Sequence, residues 1–222
     1  ISPTAGGVHA EVRRVWEATA DAQVGGRAPL IVTAPTEPTT AVVAGRYSDV
    51  VRLQVADVAE ARRRRTAIRT AAEQAGRNPD DVRVVVDAVT VVAQDAASAL
   101  FRADLLRDLG THADHDQLTV AGTVRGVADV FEDWYSQGAV DGFVVLPGSL
   151  PADVHAPATD LAPALVARGL LAPALVNSVV SWSAPARAGS GSSRRLGHYD
   201  YRVADPRPCP RRGGRPERRA GT

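Results

Sequence analysis

The sequence predicts an α/β protein built of parallel strands covered by helices. Three observations carry that prediction. Four short apolar runs recur, at 29–34, 49–55, 82–93 and 140–147. They are apolar throughout rather than alternating, which is the pattern of strands buried on both faces. Segments of helical periodicity separate them, so strands and helices alternate along the chain.

The elements follow in order. Residues 8–20 read as a helix, with Val8, Val12, Val15 and Trp16 on one face. Gly25 and Gly26 break it, and PLIVTA at 29–34 is the first strand. The segment 36–40 offers several capping hydroxyls for a short helix at 40–45, which Gly45 is expected to end. The second strand is 49–55. Asp57 caps a longer helix at 58–75, stopped by Gly76 and Pro79. The third strand, 82–93, is long and β-branched, and a bend is expected midway. Asp95 caps a helix to about Leu109, and a polar loop follows. Thr123 opens a helix whose apolar face is Val127, Val130, Phe131, Trp134 and Tyr135, ended by Gly138. The fourth strand is 140–147, and 161–168 is a last helix before Gly169. Four such units suit either a doubly wound sheet or half of a (βα)8 barrel. Composition and period do not choose between them.

Composition narrows the functional classes. A chain of 222 residues, 45% apolar and 23% charged, is ordinary for a globular protein. No apolar run approaches the roughly 20 residues of a membrane helix. The first residues lack a basic start and an apolar stretch, so no signal peptide is read there and the expected location is cytoplasmic. One cysteine, Cys209, excludes an internal disulfide framework and lies in a segment unsuited to a nucleophile. All 26 basic residues are arginine. Methionine is absent and the chain opens on Ile1, which suggests a fragment or a processed chain.

The net charge of +1 is a cancellation. From Arg187 onward there are ten arginines against three acidic residues, a net of +7. The rest carries sixteen against twenty-two, a net of −6. The sequence thus divides into a folded part, 1–172, and an irregular to disordered basic tail rich in Gly, Pro and Arg, 173–222. A basic tail can attract nucleic acid, but it lacks interleaved aromatics beyond Tyr199 and Tyr201, so a solvated extension is the expectation.

Other constellations read as structural. The Arg62 to Arg65 run is flanked by Glu60 and Glu73 and reads as a solvated helix face rather than an anion patch. His112, Asp114, His115 and Asp116 have metal-ligand chemistry but sit in a polar loop with no helix to fix them, so no metal is expected. No nucleophile-elbow pattern is present.

Two longer segments choose the fold. GTVRGVADVFEDWYSQGAVDGFVVLP at 122–147 and PALVARGLL at 163–171 resemble the luciferase-like flavin-dependent monooxygenases, especially the nitrilotriacetate and dibenzothiophene-sulfone branch. GRYSDVV at 45–51 and AEQAGRNP at 72–79 are similar to further motifs of that family, in the right order. The resemblance runs from about Val8 to Leu171. It implies a partial (βα)8 TIM barrel, about its last four βα units, with the strand ending at Ala34 near fifth of eight. It also implies an enzyme that uses reduced FMN, supplied by a separate flavin reductase, and O2 to oxygenate a small organic substrate. A half-barrel is expected to have reduced or no activity alone. The alternative is a non-catalytic fragment that self-associates or needs a partner half.

By the same resemblance, Thr33, Ala34 and Thr36 would bind the FMN phosphate. Small residues let backbone N–H groups approach, a hydroxyl donates, and a following helix start favours an anion. Two positions depart from the family pattern. Pro35 removes one N–H, and Glu37 sets a carboxylate beside the phosphate. Arg52 is a candidate to offset the phosphate charge, or else to bridge to Asp49. Pro147, Gly148 and Ser149 are candidates to line the mouth of the barrel. No catalytic residue is assigned.

Overall fold

A computed structural model describes residues 5–19, 21–22, 29–35, 40–110, 117–150 and 152–173. The elements are α1 (Ala5–Thr19), β1 (Val32–Thr33), α2 (Ala41–Tyr47), β2 (Val50–Leu53), α3 (Val58–Gln74), β3 (Arg83–Val92), α4 (Ala96–Asp108), β4 (Leu118–Gly122), α5 (Val124–Ser136), β5 (Gly142–Pro147), α6 (Ala152–Ala156) and α7 (Ala162–Ala167). A 3₁₀ turn, Pro79–Asp81, precedes β3, and a π-helical turn, Pro157–Leu161, joins α6 to α7. The basic tail lies outside the described residues, apart from Pro173.

All five strands are parallel, and the register shows how they are laid out. Val85 of β3 faces Arg52 of β2 on one edge and Gly142 of β5 on the other. Ala88 faces Leu118 of β4 and Val145 of β5. A residue has one partner per edge, so β2 and β4 share an edge of β3, one after the other, with β5 along the opposite edge. The continuous order is therefore β1-β2-β3-β5, four parallel strands connected through helices. This is the arrangement of consecutive strands in a (βα)8 barrel. The long third strand changes partner on that edge around Asp87.

β4 was not foreseen in the sequence. It lies where the polar loop gives way to the α5 cap, and its Leu118 and Val120 point to the core while Thr119 is exposed.

The core fills one face of the sheet. Val51 and Leu53 of β2, and Val84, Val86 and Ala88 of β3, meet Ala61, Ile68 and Ala72 of α3, and Val127, Phe131 and Trp134 of α5. Phe131 stacks on Phe143 with ring centres 4.1 Å apart and planes inclined by 10°. The helix starts obey the sequence. Asp57 accepts from Glu60 N, Asp95 from Ser98 N and Thr123 from Gly126 N. Each satisfies a donor that the first turn leaves open. Thr40 behaves otherwise: its side chain makes no cap bond at α2.

Gly45 also departs from expectation. It lies inside α2 rather than ending it. A Cβ there would overlap the Ile68 carbonyl oxygen and come within 2.9 Å of Ala71 Cβ. Its function is close approach of α2 to α3, not a turn.

The Arg62 to Arg65 run is likewise more than a solvated face. Arg62 donates to Gln137 O at 2.6 Å and Arg65 to Gly138 O at 3.1 Å, closing over the carbonyl end of α5. Arg65 and Arg69 both reach Asp141 Oδ1, at 2.7 and 3.1 Å. Asp141 Oδ2 accepts from Val84 N at 2.8 Å. Arg63 and Arg64 pair with Glu60, and their hydrogen bonds hold the Glu60 carboxyl below its usual range. Asp141 thus ties α3 to β3, while Arg62 and Arg65 tie α3 to the end of α5.

Candidate site at the carboxyl ends of the strands

In a parallel sheet every strand ends on the same side, and loops from that side build the ligand sites of barrel folds. Here that end collects the loop after β1, the loop after β5 and the start of α4.

Thr33 and Ala34 close β1. Thr33 pairs in register with Val51, so it shares the helix-covered face, and its Oγ1 lies 2.8 Å from Ser48 Oγ. Ser48 is fully buried. If Ser48 donates in that pair, the Thr33 hydrogen remains for an anion, so the pair is compatible with a donor role. Ala34 is exposed and offers its backbone N–H; Pro35 offers none. Thr36 and Glu37 lie outside the described residues. The described half of the loop therefore fits a phosphate in part, through the Ala34 N–H and the Thr33 hydroxyl.

Asp49 accepts from Ile31 N at 2.8 Å and meets Arg77 at 3.6 Å, which ties β1 to the start of β2. Arg52 grips Asp87 with two hydrogen bonds, Nε to Oδ1 at 3.0 Å and Nη2 to Oδ2 at 2.7 Å. The two residues sit on the sheet face opposite the core, beside Val50, Val85 and Val144. Asp87 neutralises Arg52, so the guanidinium brings no net charge to offset a phosphate.

Ser149 does not stand free at the strand ends. Its Oγ donates to Asp153 Oδ2 at 2.7 Å and accepts from Arg102 Nη2 at 3.0 Å. Arg102 also reaches Asp153 Oδ2 at 2.8 Å and Val92 O at 2.9 Å, while Asp153 Oδ1 accepts from Val92 N. Asp153 is 1% exposed. A Cβ on Gly148 would lie 2.6 Å from Val91 Cγ2 and 3.0 Å from Thr90 O. The segment 147–149 is thus locked onto the end of β3 by a clasp joining α4 and α6. Sequence alone missed both the clasp and the Arg52–Asp87 pair, because Arg52 and Asp87 are 35 residues apart and Arg102 lies 47 and 51 residues from Ser149 and Asp153. The local signs were an acidic residue, Asp87, inside a mostly apolar strand, and the Ser149 and Asp153 spacing of four.

Among the described residues no group of three His, Cys, Asp or Glu could hold a metal ion. The cluster from His112 to Asp116 lies outside those residues. No described helix is long and apolar enough to cross a membrane.

The consecutive parallel strands, the helices behind them and the loops gathered at their carboxyl ends define the class: a βα unit array of the barrel type. The sequence profile of the luciferase-like monooxygenase family matches residues 4–143, and the chain belongs to that family. Solved structures of similar fold include a riboflavin lyase bound to modified FMN and riboflavin, 17% identical with a TM-score of 0.58, matched over 68% of this chain and 46% of the other. They include the EDTA monooxygenase of Chelativorans sp. BNC1, 20% identical, TM-score 0.55, over 65% and 46%. DmoA from Hyphomicrobium sulfonivorans is 18% identical, TM-score 0.56, over 66% and 43%. The chain spans under half the length of each of these structures. No curated protein matches the sequence.

Proposed function

We propose that the chain is part of a flavin-dependent monooxygenase that uses reduced FMN and O2 on a small organic substrate, with the flavin reduced by a separate reductase. The family membership carries this reading. The structures of a riboflavin lyase with modified FMN and of an EDTA monooxygenase support it by fold. The branch that includes the nitrilotriacetate and dibenzothiophene-sulfone enzymes is the part of the family it resembles most.

Thr33, Ala34 and Thr36 would hold the flavin phosphate. Bound in reduced form, the flavin supplies the oxygen activation. The protein's own contributions are binding and orientation. Ala34 offers a backbone donor at the strand end. Ser48 fixes the Thr33 hydroxyl from behind. The Arg102–Asp153–Ser149 clasp holds the β5 loop at the same end, so that side of the site is rigid before any ligand arrives. Matching less than half of each of the three solved structures named above, the 222-residue chain is expected to show reduced or no turnover by itself.

The test is an FMN titration followed by flavin fluorescence. A saturable change with a midpoint on the order of tens of micromolar is expected. Thr36→Ala is expected to weaken it roughly tenfold, the loss of one hydrogen bond to a charged group. An unsaturable, linear response would overturn flavin binding by this chain.

A further inference from the structure

We infer that Arg102 is a positioning residue for the ring end of the flavin, an inference that rests on the flavin reading above. Arg102 acts through its neighbours. Its guanidinium binds Val92 O at the end of β3, Ser149 Oγ in the loop after β5 and Asp153 Oδ2 of α6. These segments meet at the carboxyl ends of the strands, where ligands of parallel barrel folds bind. Asp153 is 1% exposed, and the Arg102 side chain is 32% exposed. Burying such a pair gains little over apolar residues of the same volume, so what it supplies is a fixed arrangement. The loop after β5 takes up that arrangement directly. Gly148 has no space for a Cβ, which would lie 2.6 Å from Val91 Cγ2 and 3.3 Å from Asp153 Oδ2. A shift of Asp153 is therefore passed on to the loop.

The same contacts say which part of the ligand meets this loop. Val92 N, Ser149 Oγ and Arg102 Nη2 are the kinds of donor that cradle an anion, and each already gives a bond to the Asp153 carboxylate. That internal carboxylate fills the place of an anion, so the flavin phosphate is left to the β1 loop. In the order β1-β2-β3-β5, the first and last strands lie three spacings apart, about 14 Å along the sheet. An FMN held by its phosphate at β1 reaches the β5 loop only with its ring end. Arg65 provides the contrast. It pairs with Asp141, which directly precedes β5 and so lies at the amino ends of the strands, away from the ligand side.

The test is a pair of fluorescence titrations on the full chain, one with FMN and one with riboflavin, which lacks the phosphate. Arg102→Ala is expected to weaken both by the same factor, about tenfold, as the loop loses its place. Arg102→Lys keeps the charge without the planar fork and is expected to weaken both by less. Arg65→Ala is expected to lower the urea midpoint comparably and to leave both flavin midpoints unchanged. Ser149→Ala removes one contact and keeps the ion pair. It is expected to weaken both flavins slightly, and it decides the matter if Arg102→Ala does not fold. A loss confined to FMN would make Arg102 a phosphate ligand and overturn the inference. Unchanged flavin midpoints in the deciding variant, or an equal loss in Arg65→Ala, would also overturn it. A wild type that binds neither flavin would overturn the flavin reading itself, and this inference with it.

Discussion

Arg52 holds both carboxylate oxygens of Asp87 across the β2–β3 register, at 3.0 and 2.7 Å, on the face of the sheet that the core does not fill. The pair is lopsided. The Asp87 side chain is 3% exposed and that of Arg52 is 38%. Losing the arginine strands a carboxylate away from water, whereas losing the carboxylate leaves an arginine able to turn into solvent. Arg52→Ala is therefore expected to lower the unfolding free energy by about 3 kcal/mol. Asp87→Val, which adds a β-branched residue to an apolar face, is expected to cost under about 1 kcal/mol. Urea unfolding of both variants at one protein concentration decides it, and equal costs would show that the pair is screened from both sides.

The staple at Asp141 makes a prediction in pH. Burial alone would raise its carboxyl pKa; the hydrogen bonds from Arg65 and Val84 N, with the charges of Arg65 and Arg69, outweigh that and hold it below the ordinary 3.8. A carboxyl depressed in the folded state contributes stability that is fully present above its ordinary value. That stability is lost as pH falls through 3.8 towards the folded value. The wild type is expected to lose stability steeply in that acid range, and Asp141→Asn less steeply. At pH 7 the variant is expected to be less stable by about 2 kcal/mol, since Arg65 loses its charged partner while Arg69 keeps the exposed Asp80. Parallel slopes for the two proteins between pH 5 and 2 would remove Asp141 from the acid response.

Much of this fold was legible in the sequence, and the division follows the range of the interactions. Asp57, Asp95 and Thr123 cap helices through bonds three residues away, so local pattern found them. The four barrel-type strands are mostly apolar on the helix-covered face, and that pattern survives without any alignment even with Arg52 and Asp87 on the other face. β4 was hidden because a five-residue strand beside a polar loop has no period long enough to read. Gly45 was misjudged for a related reason. A glycine near a helix end reads as a stop, and only the position of Ile68 and Ala71 on α3 shows that it is an approach point. Arg52 needed Asp87, and Ser149 needed Arg102 and Asp153, before either could be assigned. The proposed role of Thr33 and Ala34 comes from motif resemblance, and what the structure adds is Ser48 within 2.8 Å of the Thr33 hydroxyl.

The cap at α5 is open to a direct test. Thr123 Oγ1 accepts from Gly126 N at 3.2 Å, and the helix it starts carries Val127, Phe131 and Trp134 into the core. Thr123→Ala is expected to cost about 1 kcal/mol. Thr123→Asp, which keeps an acceptor and adds charge at the positive helix end, is expected to recover most of it. Thermal unfolding at neutral pH separates the two, and an alanine variant as stable as wild type would leave the cap without energetic weight.

Two glycines should respond to alanine in opposite directions. Gly45 faces the α3 backbone, where a new methyl would overlap the Ile68 carbonyl oxygen and press on Ala71 Cβ at 2.9 Å. Neither neighbour can swing aside, because one is main chain and the other is the stub of a buried alanine. The helices must part, and the cost is that of an overpacked core, about 1–3 kcal/mol or more. Gly126 lies in the first turn of α5, and a methyl there meets nothing nearer than Thr123 Oγ1 at 3.6 Å, an ordinary contact. Its backbone is already helical, so alanine removes conformational freedom only from the unfolded chain. Gly126→Ala is expected to raise stability by about 0.5–1 kcal/mol. Gly45→Ala is expected to lower it and to loosen α2, and with it Ser48, the residue behind Thr33. Flavin titration of Gly45→Ala beside Gly126→Ala then reads whether α2 supports the β1 loop. Binding weakened in the first and unchanged in the second is the expected result, and unchanged binding in both would detach the loop from the α2–α3 crossing.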